Sequence, residues 1–395
     1  MTTLAALRVL APAPLTDPVP GARRWRLCSP PVVGFDRAAP SLSAARATVA
    51  GPPDGGRAAG GLQMHHDAPP TGFEHRPVLL AEVLALLEPV SDGILLDATL
   101  GGAGHAAAVL SARPGLELVG IDRDPDALAA ARARLAPFGD RARTSQARFD
   151  ALAEVLAADR ARPGAPAGPP PPVVAVLFDL GVSSPQLDRP ERGFSYRVEG
   201  PLDMRMDPTS GPTAAELLDT LDEASLILLL AEHGETRFAR RIARAVLAAR
   251  PVRTTADLAE VVASAVPAAA RRRGHPARRV FQALRVAVNA ELEVLGPALE
   301  AALDVLAPGG RCVVISYHSG EDRIVKDRFV AAATGGCTCP PGLPCVCGAV
   351  PTVRLLNRGA VKPTAKEAET QPRSRSARLR AVERLGPGQQ RGAGG

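Results

Sequence analysis

The run Asp97-Ala98-Thr99-Leu100-Gly101-Gly102-Ala103-Gly104-His105 places an acid at the end of an apolar segment and follows it with a glycine-rich turn. Glycines there let the backbone approach a ligand closely at the mouth of a parallel sheet. The dinucleotide fingerprint G-x-G-x-x-G is absent. An acid ahead of the loop suits S-adenosylmethionine, which carries a charged amino group and no pyrophosphate. A second acid, Asp122, ends the next apolar segment, where one carboxylate can accept hydrogen bonds from both ribose hydroxyls. Either acid alone could be a strand-end cap; the two at this spacing favour a cofactor site.

Asp179-Leu180-Gly181-Val182-Ser183-Ser184-Pro185-Gln186 follows a third apolar segment, in the position where such enzymes meet their acceptor. An exocyclic amine is a poor nucleophile because its lone pair is delocalised into the ring. Acceptors that bind its N–H groups and align the nitrogen with the methyl carbon are what its methylation needs. Asp179 and the proline-stiffened polar loop could supply them, and an ordinary loop with serine turn formers is the plain alternative. Cys337-x-Cys339-x5-Cys345-x-Cys347 could offer four thiolates to zinc. Its spacing is tighter than C-x2-C and methyl transfer requires no metal, so reduced thiols in a surface loop are favoured and no metal ligand is assigned. His275 reads as an exposed loop residue, and His65 and His66 belong to the N-terminal lead.

The elements around these residues alternate. Segments 94–97, 116–122 and 173–179 read as strands, the last near-continuously apolar as strands covered on both faces are. Asp124 is expected to cap a helix that has Pro125 at its first position. From about 190 to 284 the strand signal disappears and 214–232, 236–249 and 255–266 show helical spacing, with Thr255 as the expected cap. A helix through 290–306, a turn at 307–310 and a strand at 311–317 follow. The expected organisation is a disordered Ala/Pro/Gly-rich extension at 1–72, with Met64 a plausible start. A catalytic domain in two parts (73–189 and 287–385) is interrupted by a helical domain at 190–286, and a disordered tail covers 386–395. The last thirty or so residues read as basic and polar, frayed at the end.

No run of about 18 uncharged apolar residues exists, so no membrane span is expected, and the N-terminus makes a poor export signal. The chain reads as soluble and cytoplasmic. With 12 aromatic residues in 395, a binding surface built on many stacked rings is excluded. Only three of the 47 basic residues are lysine, and residues 235–285 hold twelve arginines against three acids. Guanidinium suits bidentate grips on phosphate, so this stretch points to a polyanionic partner, with a solvated helix face as the alternative. Three other readings are weaker. A nicotinamide oxidoreductase lacks its fingerprint, a vestigial RNA-binding protein has no reason to keep the acid-glycine loop, and a DNA cytosine-N4 methyltransferase would carry a Pro-Pro-aromatic loop where this chain has Ser184-Pro185-Gln186.

Taken in order, His75-Arg76-Pro77-Val78-Leu79-Leu80, the glycine loop, Gly120-Ile121-Asp122-Arg123-Asp124, Asp179 to Gln186, Arg192-Gly193-Phe194-Ser195, Gly200-Pro201-Leu202-Asp203-Met204-Arg205-Met206-Asp207 and Ser316-Tyr317-His318-Ser319 with Glu321-Asp322-Arg323 resemble the MraW/RsmH family of small-subunit ribosomal RNA methyltransferases over about 73–385. The resemblance implies an α/β fold, the class I (Rossmann-like) S-adenosylmethionine methyltransferase sheet with an inserted all-helical domain. It implies methylation of N4 of a cytidine in the decoding region of 16S rRNA, with the small ribosomal subunit as partner and no membrane. Carried over by position, it gives Ala103, Gly104, His105 and Asp122 as cofactor contacts, Phe149 beside the adenine, and Asp179 and Gln186 near the amino-acid end and the acceptor. Asp179 is expected to be catalytic, and His318, at a strand end facing the same mouth, is expected to join it, with holding the loop as the alternative. Tyr317 and Gly320 depart from the Phe and Leu that many members carry around the His-Ser pair, and the loop between Asp159 and Val173 is expanded. The sequence specifies no oligomeric state.

Overall fold

The computed structural model describes residues 77–165, 168–272, 275–340 and 346–389. The readings of 1–72, Met64, His65, His66 and His75-Arg76, and residues Arg273 and Cys345, lie outside them. Seven strands form one sheet in the order β3-β2-β1-β4-β5-β7-β6. They are β1 (Gly93–Asp97), β2 (Leu116–Asp122), β3 (Ala142–Gln146), β4 (Val173–Asp179), β5 (Leu306–Ser316), β6 (Val353–Leu355) and β7 (Arg378–Arg384). Strands β1 to β5 are parallel, and β7 runs antiparallel to both β5 and β6. Strand order reverses between β1 and β4, and in such sheets the crevice beyond the carboxyl ends at that point receives ligands. Asp97 and Asp179 end the two strands that flank it.

Helices cover both faces. On one side α1 (Leu80–Leu87), α2 (Gly104–Ala112) and α3 (Pro125–Leu135) bury Val83, Val109, Leu110 and Leu128 against Leu95, Leu118 and Leu177. On the other side α4 (Leu152–Arg160) contributes Leu152 and Leu156 to a second core built on Ile94, Val176 and Phe178. Asp124 caps α3 as expected, its side chain accepting from the Asp126 amide with Pro125 at the first position.

Between β4 and β5 no strand occurs among the described residues. The chain runs through α5 (Ser184–Asp188), α6 (Ala214–Thr220), α7 (Glu223–Glu232), α8 (Ala239–Ala248), α9 (Thr255–Ala265), α10 (Ala268–Arg271), α11 (Ala277–Asn289) and α12 (Glu291–Val305). Residues from Phe194 to Leu284 close a third core of their own, including Ile242, Val246, Leu258 and Phe281. Burying each such side chain contributes about 1.5–3 kcal/mol. By contrast α12, with α13 (Ser319–Thr334), packs Leu295, Leu299, Val325 and Phe329 onto the sheet. Finally α14 (Ala365–Thr370) precedes β7. No helix among the described residues is long and apolar enough to cross a membrane.

Three expectations need correction. The cap of α9 is Thr254, whose side chain accepts from the Asp257 amide; Thr255 is instead buried and gives its hydroxyl to the Val198 carbonyl. The 214–232 stretch is two helices, broken at Leu221-Asp222, where Asp222 caps the second by accepting from the Ser225 amide. The expected turn at 307–310 lies within β5: Val173 pairs with Leu306 and Ala175 with Arg311, so the extra residues bulge out, with Gly309 at φ +79°. The basic run 378–384, ahead of the expected tail at 386–395, is regular secondary structure. It is β7, with Leu379, Ala381 and Val382 fully buried, and residues 386–389 form a turn beyond it.

Candidate active site

The loop after β1 is built around carboxylates. One Asp97 oxygen accepts from the Thr99 amide at 3.1 Å. Asp122 accepts from the Gly101 amide at 2.7 Å with one oxygen and from the Asp124 amide at 2.8 Å with the other. Each of its oxygens retains a second lone pair, so the carboxylate that ties two loops together can still receive ligand hydroxyls. A Cβ at Gly102 would meet nothing within 4 Å. Ala103, at φ 57°, turns the chain into α2, whose first turn has no side-chain cap. Its leading amides, from Gly104 onward, therefore offer donors to an anionic group. Phe149 follows β3 by three residues, half-buried, its ring edge-on to Phe178 at 5.9 Å. It is held near Asp122 because the Ala147 amide donates to the Asp122 carbonyl at 3.0 Å.

Three acids share this mouth, and their fields add. The Asp97 carboxyl is pushed up to about 8, first by burial and then by the charges of Asp179 and Asp122, with the Thr99 amide working against the rise. Burial likewise raises Asp122.

Asp179 is fixed from several directions. Its amide donates to Thr99 Oγ1 at 2.6 Å, tying β4 to the cofactor loop. One carboxylate oxygen accepts from the Tyr317 hydroxyl at 2.8 Å, and the other lies 3.5 Å from His105 Nδ1. The opposite ring nitrogen of His105 is 2.9 Å from the Val78 carbonyl. Burial and the Asp179 charge raise the Tyr317 phenol well above its ordinary value, so it stays a donor. Gln186 is buried and its polar atoms are spoken for: Oε1 accepts from the Ser183 amide at 3.0 Å and Nε2 donates to Asp124 at 2.8 Å. Arg192 closes the same knot with an ion pair to Asp124 at 2.9 Å. Gln186 therefore joins the loop after β4 to the cap of α3.

His318 stands apart from this group. It caps α13, Nδ1 accepting from the Glu321 amide, while Nε2 lies 3.0 Å from a Glu321 oxygen but off the hydrogen-bonding direction. Burial raises the Glu321 carboxyl, yet His318, Arg285 and the Tyr317 amide outweigh it and hold the group low. Arg285 in turn forks onto Glu291 at 2.9 and 3.0 Å. The Leu202 to Asp207 run is clamped by Asn289, which accepts from the Met206 amide and donates to the Met204 carbonyl, and by Arg192, which donates to the carbonyls of Arg205 and Met206.

The structure thus brings Ala103, Gly104, His105, Asp122 and Asp179 around one opening and puts Phe149 at its flank. Gln186 lies beneath the opening and His318 at a neighbouring helix cap. Sequence reasoning noted Tyr317 only as a departure and did not single out Thr99, Arg192 or Asn289. A hydroxyl two residues beyond a strand-end acid, and an amide at the end of an amphipathic helix, are the signals they offered.

The family model described as MraW methylase family matches residues 72–385. A protein named ribosomal RNA small subunit methyltransferase H from Geobacter sp. (strain M21) is 49% identical over 319 residues, 79% of this chain and 99% of its own. One of the same name from Mycobacterium bovis (strain BCG / Pasteur 1173P2) is 47% identical over 363 residues, 88% of either chain.

Proposed function

The chain belongs to the MraW methylase family and is an S-adenosylmethionine-dependent methyltransferase, and from that premise we propose that it methylates N4 of a cytidine in the decoding region of 16S rRNA, within the small ribosomal subunit. The residues present fit the cofactor: three carboxyl groups at one mouth suit a ligand bearing sulfonium and ammonium charges, and the space over Gly102 leaves it room. Ala103, Gly104 and His105 would hold its methionine end, Asp122 its ribose hydroxyls and Phe149 its adenine. When bound, it supplies an electrophilic methyl group.

The observation that carries the acceptor assignment is the fixing of Asp179 by Thr99 and Tyr317 beside this loop. Asp179 accepts an N–H of the exocyclic amine, which turns the nitrogen lone pair toward the methyl carbon. The same carboxylate receives the proton the amine loses. Tyr317 and His105 keep it from rotating away. His318, held by Glu321, positions Tyr317 through the cap of α13 rather than touching the base. Gln186 acts at one remove by locking the loop after β4 to Asp124.

The base must leave its stack, at a cost of a few kcal/mol, to reach this opening. Contacts to the RNA backbone by the helical insertion offset that cost. Arg237, Arg240, Arg241 and Arg244 are exposed on and just before α8. No membrane is involved, and the compartment is that of the ribosome, the cytoplasm. The test is transfer of a labelled methyl group to small subunits from cells lacking this enzyme, followed by nucleoside mapping. Label in N4-methylcytidine of the decoding region is expected; label in another nucleoside, or none, overturns the proposal.

A further inference from the structure

A second group of reactive side chains lies well away from this mouth. Helix α13 starts at the acceptor side and runs 16 residues, about 24 Å at 1.5 Å per residue, before ending at Gly335. Just beyond it the sulfur atoms of Cys337, Cys339 and Cys347 all lie within 4.8 Å of one another. Cys337 and Cys347 are 3.6 Å apart, far beyond the ~2.05 Å of a disulfide and close to the roughly 3.8 Å between two thiolates on one tetrahedral zinc ion.

The surroundings show why such a clip is needed. The two ends of the loop are pinned together. A Cβ on Gly335, at φ +64°, would sit 2.5 Å from the Val350 backbone, and the Thr352 amide donates to the Ala332 carbonyl at 2.9 Å. Between these pins the described residues contain no helix or strand and bury almost no apolar surface, Val346 being 89% exposed. Segments that cannot build a core are commonly held by metal or disulfide. The active site uses none of these thiols.

We propose that Cys337, Cys339 and Cys347 bind a zinc ion that fixes the loop between α13 and β6. Each thiol gives up its proton to become a ligand, so binding releases one proton per sulfur and no electrons move. The arrangement overrules the objection that C-x-C spacing is too tight, because the ligands come from both arms of the loop rather than from one knuckle. Cys345 lies outside the described residues.

The test uses the full chain, purified with reductant, with its metal content measured. One zinc per chain is expected. After removal of zinc, Co²⁺ should give the thiolate charge-transfer absorption and intense visible bands of a tetrahedral site, and a zinc competition should abolish them. Cys339→Ser should weaken zinc binding by about a hundredfold or more, since removing a mere supporter of a ligand already costs 10–100-fold. Replacing all three with Ser should remove the Co²⁺ spectrum, and zinc removal from the parent should lower its melting temperature. Adenosylmethionine titrations of the same samples should be unchanged, which separates this proposal from the functional one and reports whether the variants fold. Absence of thiolate bands in the parent, their survival in the triple variant, or a Cys337–Cys347 disulfide in metal-free protein would each overturn it.

Discussion

Asp97 is the residue whose proton couples most strongly to what the site does. Its folded-state value of about 8 stands above its ordinary value of 3.8, so the folded chain holds a proton that the unfolded chain has lost. Stability therefore falls as pH rises from about 4 toward 8 and levels off above that. Asp97→Asn should flatten this slope, and melting temperatures at pH 5 and pH 8 check it; a variant with the parental slope would refute the assignment. A cationic cofactor favours the carboxylate, so adenosylmethionine affinity should rise as pH approaches 8 and binding should release protons, which calorimetry in buffers of different ionisation enthalpy can count. Asp122→Ala should weaken the cofactor by about one to two decades, the loss expected for charge-assisted hydrogen bonds of ~1.5–3 kcal/mol, as read by titration. Asp179→Asn should cut turnover more than it cuts stability. Tyr317→Phe should cost turnover roughly fivefold, the equivalent of ~1 kcal/mol, with cofactor affinity retained. The three acids were legible in sequence because each ends an apolar strand. Their partners were not: Thr99 meets Asp179 across 80 residues and Tyr317 across 138, and no local pattern encodes a contact made by folding.

Elements were legible to the extent that burial leaves a period in the sequence. Strand β4, buried on both faces, was read to the residue, whereas β3, whose Ala-Arg-Thr-Ser-Gln run is polar and lies at the sheet edge, left no such trace. The cap of α9 was misplaced by one residue because Thr254 and Thr255 are chemically alike and only the fold decides which one turns its hydroxyl to the Asp257 amide. Helix α8 is the element that most invites a test of RNA engagement. Its apolar face, Ile242, Ala243 and Val246, is buried in the insertion core, while Arg240 and Arg241 face solvent. Replacing both with Gln should weaken binding to small-subunit RNA and reduce the slope of log affinity against log salt by roughly one to two. The adenosylmethionine constant should not move. An unchanged salt slope would shift the phosphate contacts elsewhere, with Arg271 and Arg272, exposed near the start of α11, next in line.

At the scale of the whole molecule, the stretch from about 190 to 284 where strand patterning stops corresponds to a run of helices between β4 and β5. The role of the C-terminal stretch was not legible, since four charged positions in Arg-Leu-Arg-Ala-Val-Glu-Arg mask the three that are buried. Two of those charges are neutralised by neighbours: Arg380 forks onto Asp322, and Glu383 receives both Arg311 and Arg354. Removing residues 373–395 should therefore cost the fold itself, seen as loss of cooperative melting, and not merely RNA affinity. Because β7 inserts between β5 and β6, the last strand among the described residues is an interior strand of the sheet. A ribosome making this protein must deliver β7 before Val313 and Ile315 acquire their final partner, Ala381 and Leu379 respectively. Until then the growing chain carries an open, apolar β5 edge, the kind of surface that pairs with strangers. Folding of this enzyme is thus gated by the synthesis of β7, and nascent chains arrested short of residue 378 should be protease-sensitive and chaperone-bound while those released beyond 384 are not.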